Sequence, residues 1–182
     1  RGSGEKGLAA RVRSTVDESP FDRTVCVVTR RLGVVGAGSA GAGAAYALRD
    51  ADVAVTVLEK SRGVCGRAAT RRRDGCRYDY GANYVKEDSR TESLLESLGT
   101  DGLGRVDGPV WTFDGDGVIA ESDRRERKWT WESGITQLAK RLFERTDATV
   151  ELETRVETTA HTDDGWVVTD TDGSRHGPFD GL

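Results

Sequence analysis

The chain has 182 residues, of which 36% are hydrophobic and 32% charged, with a net charge of −4. That is enough for one domain with a thin core and part of a second lobe. No run approaches the ~18 apolar residues of a membrane span, and no secretory h-region is present, so a cytoplasmic protein with no membrane partner is expected. Cys26, Cys65, Cys76, His161 and His176 lack zinc-ligand or disulfide spacing, so no metal is expected. The seven Lys or Arg against four Asp or Glu in residues 1–31 have no aromatic interleaving, so no nucleic-acid partner is expected.

Residues 1–30 carry no sustained period, and the chain contains no methionine. A non-native or disordered leader is expected there. Leu32 to Val35 then reads as a buried parallel strand ending in Gly36, Ala40 to about Asp50 as a helix, and Val53 to Leu58 as the next strand. Strand, turn, helix and strand occupy the 28 residues of one βαβ unit, Leu32 to Glu59. Residues 60–77, rich in arginine and glycine, are expected to be a loop. Tyr78 to Val85 follows as a short extended segment, and Thr91 to Leu98 as a helix ending at Gly99.

Short extended pieces at Val110 to Phe113, Val118 to Ala120 and Trp129 to Trp131 suggest a separate small sheet. Ile135, Leu138, Ala139, Leu142 and Phe143 have the spacing of an amphipathic helix, with Ser133 as its expected cap. Runs at Thr149 to Val156, Gly165 to Thr169 and Ser174 to Phe179 predict an antiparallel meander. The terminal Phe179-Asp180-Gly181-Leu182 reads as the start of another strand, which predicts a fold truncated at its C-terminus.

The chemistry concentrates in Gly36-Ala37-Gly38-Ser39-Ala40-Gly41, a GxGxxG match between a strand and a helix, with Glu59 at the end of the following strand. Gly36 permits a tight turn, Gly38 close approach of a pyrophosphate, and Gly41 close packing of helix on strand. The helix N-terminus offers free N–H groups to phosphates, and Glu59 suits unphosphorylated ribose hydroxyls.

Beyond Glu59 the run Glu59-Lys60-Ser61-Arg62-Gly63-Val64-Cys65-Gly66-Arg67-Ala68-Ala69-Thr70 resembles the acid, arginine and glycine-arginine motif of the flavin amine oxidase superfamily. With Asp79-Tyr80-Gly81-Ala82-Asn83-Tyr84 it is most similar to renalase-like NAD(P)/FAD-dependent oxidoreductases. The resemblance implies FAD as cofactor. It assigns Lys60, Arg62, Gly66 and Arg67 to the pyrophosphate and ribityl side, Gly81, Ala82, Asn83 and Tyr84 to the flavin side, and the Val156 backbone to the adenine. Arg71, Arg72 and Arg73 are expected to be a solvated basic surface. Cys65 stands where the family has the first glycine of a pair, a costly exchange if that position needs positive φ.

The resulting expectation is an α/β, Rossmann-like FAD/NAD(P)-binding fold with a β-meander and part of a smaller substrate lobe. Residues 31–85 hold the βαβ unit and arginine loop, 86–134 the partial lobe, and 135–182 the return to the cofactor domain. The implied activity is hydride transfer from a small-molecule amine or nicotinamide-like substrate to flavin. The catalytic residues are unassigned, and the chain by itself is expected to be inactive. The competing expectations are a non-catalytic dinucleotide-binding module and a desaturase-type flavoenzyme.

Overall fold

The computed structural model describes residues 29–122 and 126–182. Most of the expected leader, 1–28, and Cys26 lie outside the described residues.

Strand β1 (Arg30–Val35) begins two residues before the expected Leu32, and β2 (Val53–Leu58) has its expected bounds. They pair in parallel from Arg30↔Val53 to Val35↔Leu58, joined through helix α1 (Ser39–Ala47). On β2, Val55 and Val57 pack with Ala37 and Ala45 toward α1, whereas Leu58 packs with Val168 and Phe179 on the opposite side. Both sheet faces are therefore covered, as parallel strands require. Along the other edge of β1, Gly33 N–H donates to Gly181 O (2.9 Å) and Asp180 N–H to Arg31 O (2.7 Å).

Residues 60–77 are more ordered than a loop. After a single 3₁₀ turn, Gly66–Ala68, strands β3 (Thr70–Arg73) and β4 (Cys76–Asp79) form an antiparallel hairpin. Its turn is Asp74-Gly75, with φ of 51° and 77°. An Asp-Gly pair between extended segments is a strong hairpin signal, masked here by the arginine-rich flanks. β5 (Val85–Lys86) leads to α2 (Ser89–Leu98), whose N-terminus carries a reciprocal Asp88–Thr91 capping box. Hydrogen bonds from the Thr91 and Arg90 N–H groups hold the Asp88 carboxyl below its ordinary range.

β6 (Leu103–Arg105) was not expected. The strands expected to share one small sheet divide into two: β7 (Val110–Phe113) pairs with β8 (Ile119–Ser122), while β9 (Lys128–Trp131) lies between β5 and β6. Trp131 is buried in the core, Trp129 is bonded through its indole N–H to Glu87, and Trp111 stands exposed on the β7–β8 hairpin.

Helix α3 (Gln137–Phe143) starts later than its apolar pattern, and Ser133 is not its cap. Ile135 N–H instead donates to Asp79 Oδ2 (3.1 Å) and Thr136 N–H to Thr70 Oγ1 (3.1 Å). The β3–β4 hairpin thus satisfies the turn leading into α3, a tertiary cap that local sequence cannot announce. The other end of α3 works in reverse. Arg141 and Arg145 reach back to the carbonyls of Leu98, Gly99 and Ser97 at the end of α2.

The run expected as one strand from Thr149 to Val156 is broken. β10 (Thr149–Glu151) joins the parallel sheet beside β2, and the meander consists of β11 (Val156–Thr162), β12 (Gly165–Asp170) and β13 (Arg175–Phe179). The break follows from hydrogen bonding: Glu153 N–H donates to Ser61 O (3.1 Å) and Thr154 N–H to Glu59 O (2.8 Å). Those donors turn toward the loop after β2 instead of continuing a ladder. Among the described residues no helix is long and apolar enough to cross a membrane.

Candidate dinucleotide-binding site

The glycine hinge lies where β1 ends and α1 begins. Gly36 has φ +100°, and its N–H donates to Leu58 O (2.8 Å), which ties the hinge to β2. Gly38 is the N-cap of α1, extended at φ −68° and ψ 178°, and as a glycine it has no side chain to cap the helix. A Cβ on Gly38 would meet nothing within 4 Å, whereas a Cβ on Gly41 would lie 2.0 Å from Gly36 O. Gly41 is therefore required by packing of α1 on its own turn. Gly38 is required by nothing inside the protein, and its glycine leaves the helix end open to a ligand. Ser39 and Ala40 are exposed beside it.

Glu59 is 5% exposed and points back at the hinge. Its Oε2 accepts Ala37 N–H (2.8 Å) and its Oε1 accepts Ser61 N–H (2.8 Å). The carboxylate is a staple between the two loops, and each oxygen keeps a lone pair for a further donor such as a ribose hydroxyl. Sequence reasoning assigned Glu59 to the ligand and missed this second duty, which depends on the hinge folding back over β2.

The arginine motif packs directly against the hinge. Cys65 N–H donates to Ala37 O (2.8 Å), Gly38 and Cys65 form an isolated parallel bridge, and a Cβ on Gly66 would lie 3.3 Å from Gly38 Cα. Cys65 has φ +82° and ψ −10°, so a side chain sits in a left-handed conformation. Its thiol is fully buried and faces Ile135 O (Sγ to O, 3.8 Å), on the α3 side of the turn. Burial, together with the charge of Asp79, raises the thiol pKa against a lowering backbone contact at Ala139. A neutral, enclosed thiol is a core group, not a nucleophile.

Gly81 closes onto the same turn, since a Cβ there would lie 1.9 Å from Arg67 O, which also accepts Ala82 N–H (3.3 Å). Thus the glycine hinge, the turn at Cys65 to Arg67, and Gly81 and Ala82 pack on one another through backbone, and Glu59 joins them through its carboxylate. Arg62 and Arg67 are exposed, as is Lys60. Asn83 is exposed, and Tyr84 is half-buried beneath Lys128, whose Nζ lies 4.8 Å from its ring centre. Val156 begins β11 two residues after Thr154, which is bonded to Glu59 O.

Residues 34–98 match the family model of the NAD(P)-binding Rossmann-like domain. Among solved structures the chain resembles a putrescine oxidase redesigned in its cofactor binding, at 18% identity and a TM-score of 0.61, covering 80% of this chain and 55% of that one. It also resembles a protein from Exiguobacterium sp. 255-15 described as a protoporphyrinogen oxidase, at 16% identity and a TM-score of 0.60 (81% and 58% covered). A third is a CLA-producing fatty acid isomerase from P. acnes, at 15% identity and a TM-score of 0.61 (82% and 57% covered). At these identities the shared feature is the Rossmann-like fold. The chain spans little more than half the length of these three structures.

Proposed function

We propose that this chain holds the adenosine diphosphate portion of FAD in a flavin oxidoreductase of the amine oxidase type, with a motif that resembles renalase-like proteins. The observation that carries this reading is the open Gly38 at the N-terminus of α1, with Glu59 folded back onto Ala37 beside it. The α1 N-terminus offers backbone N–H groups and a partial positive charge to a pyrophosphate. Glu59 would take the ribose hydroxyls, and the Val156 backbone would line the adenine.

Arg67, on the turn packed against Gly38, favours FAD over a plain nicotinamide dinucleotide, because its planar fork suits the phosphate and ribityl oxygens further along the cofactor. Lys60 and Arg62 add positive charge at the Glu59 end. Gly81, Ala82, Asn83 and Tyr84 would face the flavin. Bound FAD supplies the hydride-accepting ring, and the protein contributes position and electrostatics. The substrate is proposed to be an amine or a reduced nicotinamide-like molecule, and this chain alone is proposed to lack turnover.

Calorimetric titration of the chain with FAD, NAD and NADP tests the reading. Weak binding in the order FAD, NAD, NADP is expected, since a 2′-phosphate would meet Glu59. NADP binding tightest, or no binding by any of the three, would overturn it.

A further inference from the structure

Three charged side chains are buried among the described residues, Glu59, Asp170 and Lys128, at 5%, 6% and 6% exposure. Two of them are answered from within the protein. Glu59 accepts the Ala37 and Ser61 N–H groups, and Asp170 accepts the Asp172 and Ser174 N–H groups and faces His176 Nε2 (2.9 Å). Lys128 is different. Among the described residues its ammonium enters no ion pair, and the contact it makes is with the ring of Tyr84, 4.8 Å from the centre.

The strand register compounds the charge. Lys128 stands directly opposite Lys86 in the β5–β9 pair, where like charges repel. Lys86 is neutralised by Glu126 (2.8 Å), whereas no acid meets Lys128. A lysine ordinarily lays its stem on apolar surface and keeps its ammonium in water, and one buried this far is ordinarily paired. Contact with an aromatic ring returns only part of the hydration lost on burial.

Lys128 lies on the wall of an open cleft of about 800 Å³, between the end of β6, the loop 106–109 and the β7–β8 hairpin. That volume is in the range of small-ligand sites, roughly 300–1,000 Å³. No residue of the hinge or of the arginine turn lines it. Of its other charges, Arg105 and Asp107 pair with each other (2.8 Å), Glu126 is held by Lys86, and Glu121 is exposed on β8. Water and salt screen Glu121, whereas a charge that meets buried Lys128 is felt at lower dielectric. Val106, Pro109 and Val110 give the cleft apolar wall. One compact ammonium beside apolar surface suits a carboxylate on an apolar body better than a polyphosphate, which calls for several cations or guanidinium forks.

We propose that Lys128 is the binding residue for a ligand carboxylate, and that this cleft takes a small organic acid with an apolar body. On the flavin reading, Tyr84 connects the cleft to the flavin side, and the substrate is then an amine that also carries a carboxylate. A purely cationic amine would meet Lys128 with like charge. The substrate assignment rests on the flavin reading, but the carboxylate site does not.

The test is an amide-resolved NMR titration of the full chain, without FAD, using benzoate, benzylamine and inorganic phosphate. Benzoate is expected to shift Tyr84, Val106 and Lys128 saturably. It should bind about tenfold or more tightly than benzylamine, which has the same ring and the opposite charge, and more tightly than phosphate. That comparison needs no variant. K128M is expected to lose benzoate affinity by about tenfold or more and, freed of an unpaired buried charge, to melt at or above the temperature of the parent chain. FAD is titrated separately: should FAD fail to bind while benzoate behaves as expected, the flavin reading fails and the carboxylate site stands. Absence of benzoate shifts at Lys128, equal benzoate affinity in K128M, or benzylamine or phosphate binding as tightly as benzoate would overturn the proposal. So would a K128M melt below that of the parent, which would make Lys128 a structural cation seated on Tyr84.

Discussion

Two turns lie against each other at this site, and they use glycine for different reasons. In the hinge, Gly36 sits at φ +100° and Gly41 is pressed against Gly36 O. In the arginine turn, Cys65 takes φ +82° and still accommodates a side chain. The difference lies in where a Cβ points. At Gly41 it would enter a carbonyl oxygen of the backbone, which cannot yield, whereas at Cys65 it enters the core slot formed with Ala42, Ala68 and Ile135. A left-handed backbone alone costs a non-glycine residue about 1–2 kcal/mol, and burial of the thiol offsets part of that.

The contrast is broken most severely by adding a methyl group where backbone blocks it. Gly41→Ala and Gly81→Ala are each expected to destabilise the chain by ~3 kcal/mol, the upper range for overpacking, as measured by urea denaturation. Glu59→Ala comes next: it strands the Ala37 and Ser61 N–H groups and is expected to cost roughly 2 kcal/mol. Equal stability of Glu59→Ala and the parent chain would show that the staple is not holding the hinge.

The Cys65 thiol provides a smaller, pH-dependent effect. Its folded pKa is raised above 9.0, the ordinary value. The neutral thiol therefore contributes stability that is fully present below that value and is lost as pH rises toward the folded pKa. Cys65→Ala should flatten this part of the alkaline stability profile, and an unchanged slope would contradict the burial argument. In a Cys26→Ser background, Ellman's reagent should titrate Cys76 at once and Cys65 only on unfolding. Smallest of all is Cys65→Gly, where relief of the left-handed backbone and loss of the buried thiol nearly cancel. Its stability should change by less than about 1 kcal/mol.

The hinge was legible in the sequence because its determinants are local: strand, glycines, helix and acid follow one another within 28 residues, and β2 has the bounds its apolar run predicted. The left-handed conformation of Cys65 was also foreseeable, as the cost attached to a position where glycine was expected. What escaped was set by distant partners. Asp79 and Thr70 satisfy the turn into α3, in place of Ser133, from a hairpin more than 50 positions earlier. Glu153 and Thr154 leave the strand pattern because Ser61 and Glu59 claim their N–H groups. The Asp74-Gly75 turn was readable in principle, but its arginine-rich flanks lacked the apolar alternation by which strands are recognised. Arg71, Arg72 and Arg73 are exposed, as expected of a solvated basic surface.

The most direct test of the central claim is an amide-resolved NMR titration with ADP, comparing the parent chain with Gly38→Ala. The Gly38→Ala backbone fits without clash, so the fold should persist. In the parent chain, saturable shifts are expected at Ala37, Gly38, Ser39 and Ala40, and in Gly38→Ala these should be lost. Shifts confined to other residues, or an identical response in the variant, would contradict the assignment of the α1 N-terminus as the diphosphate seat.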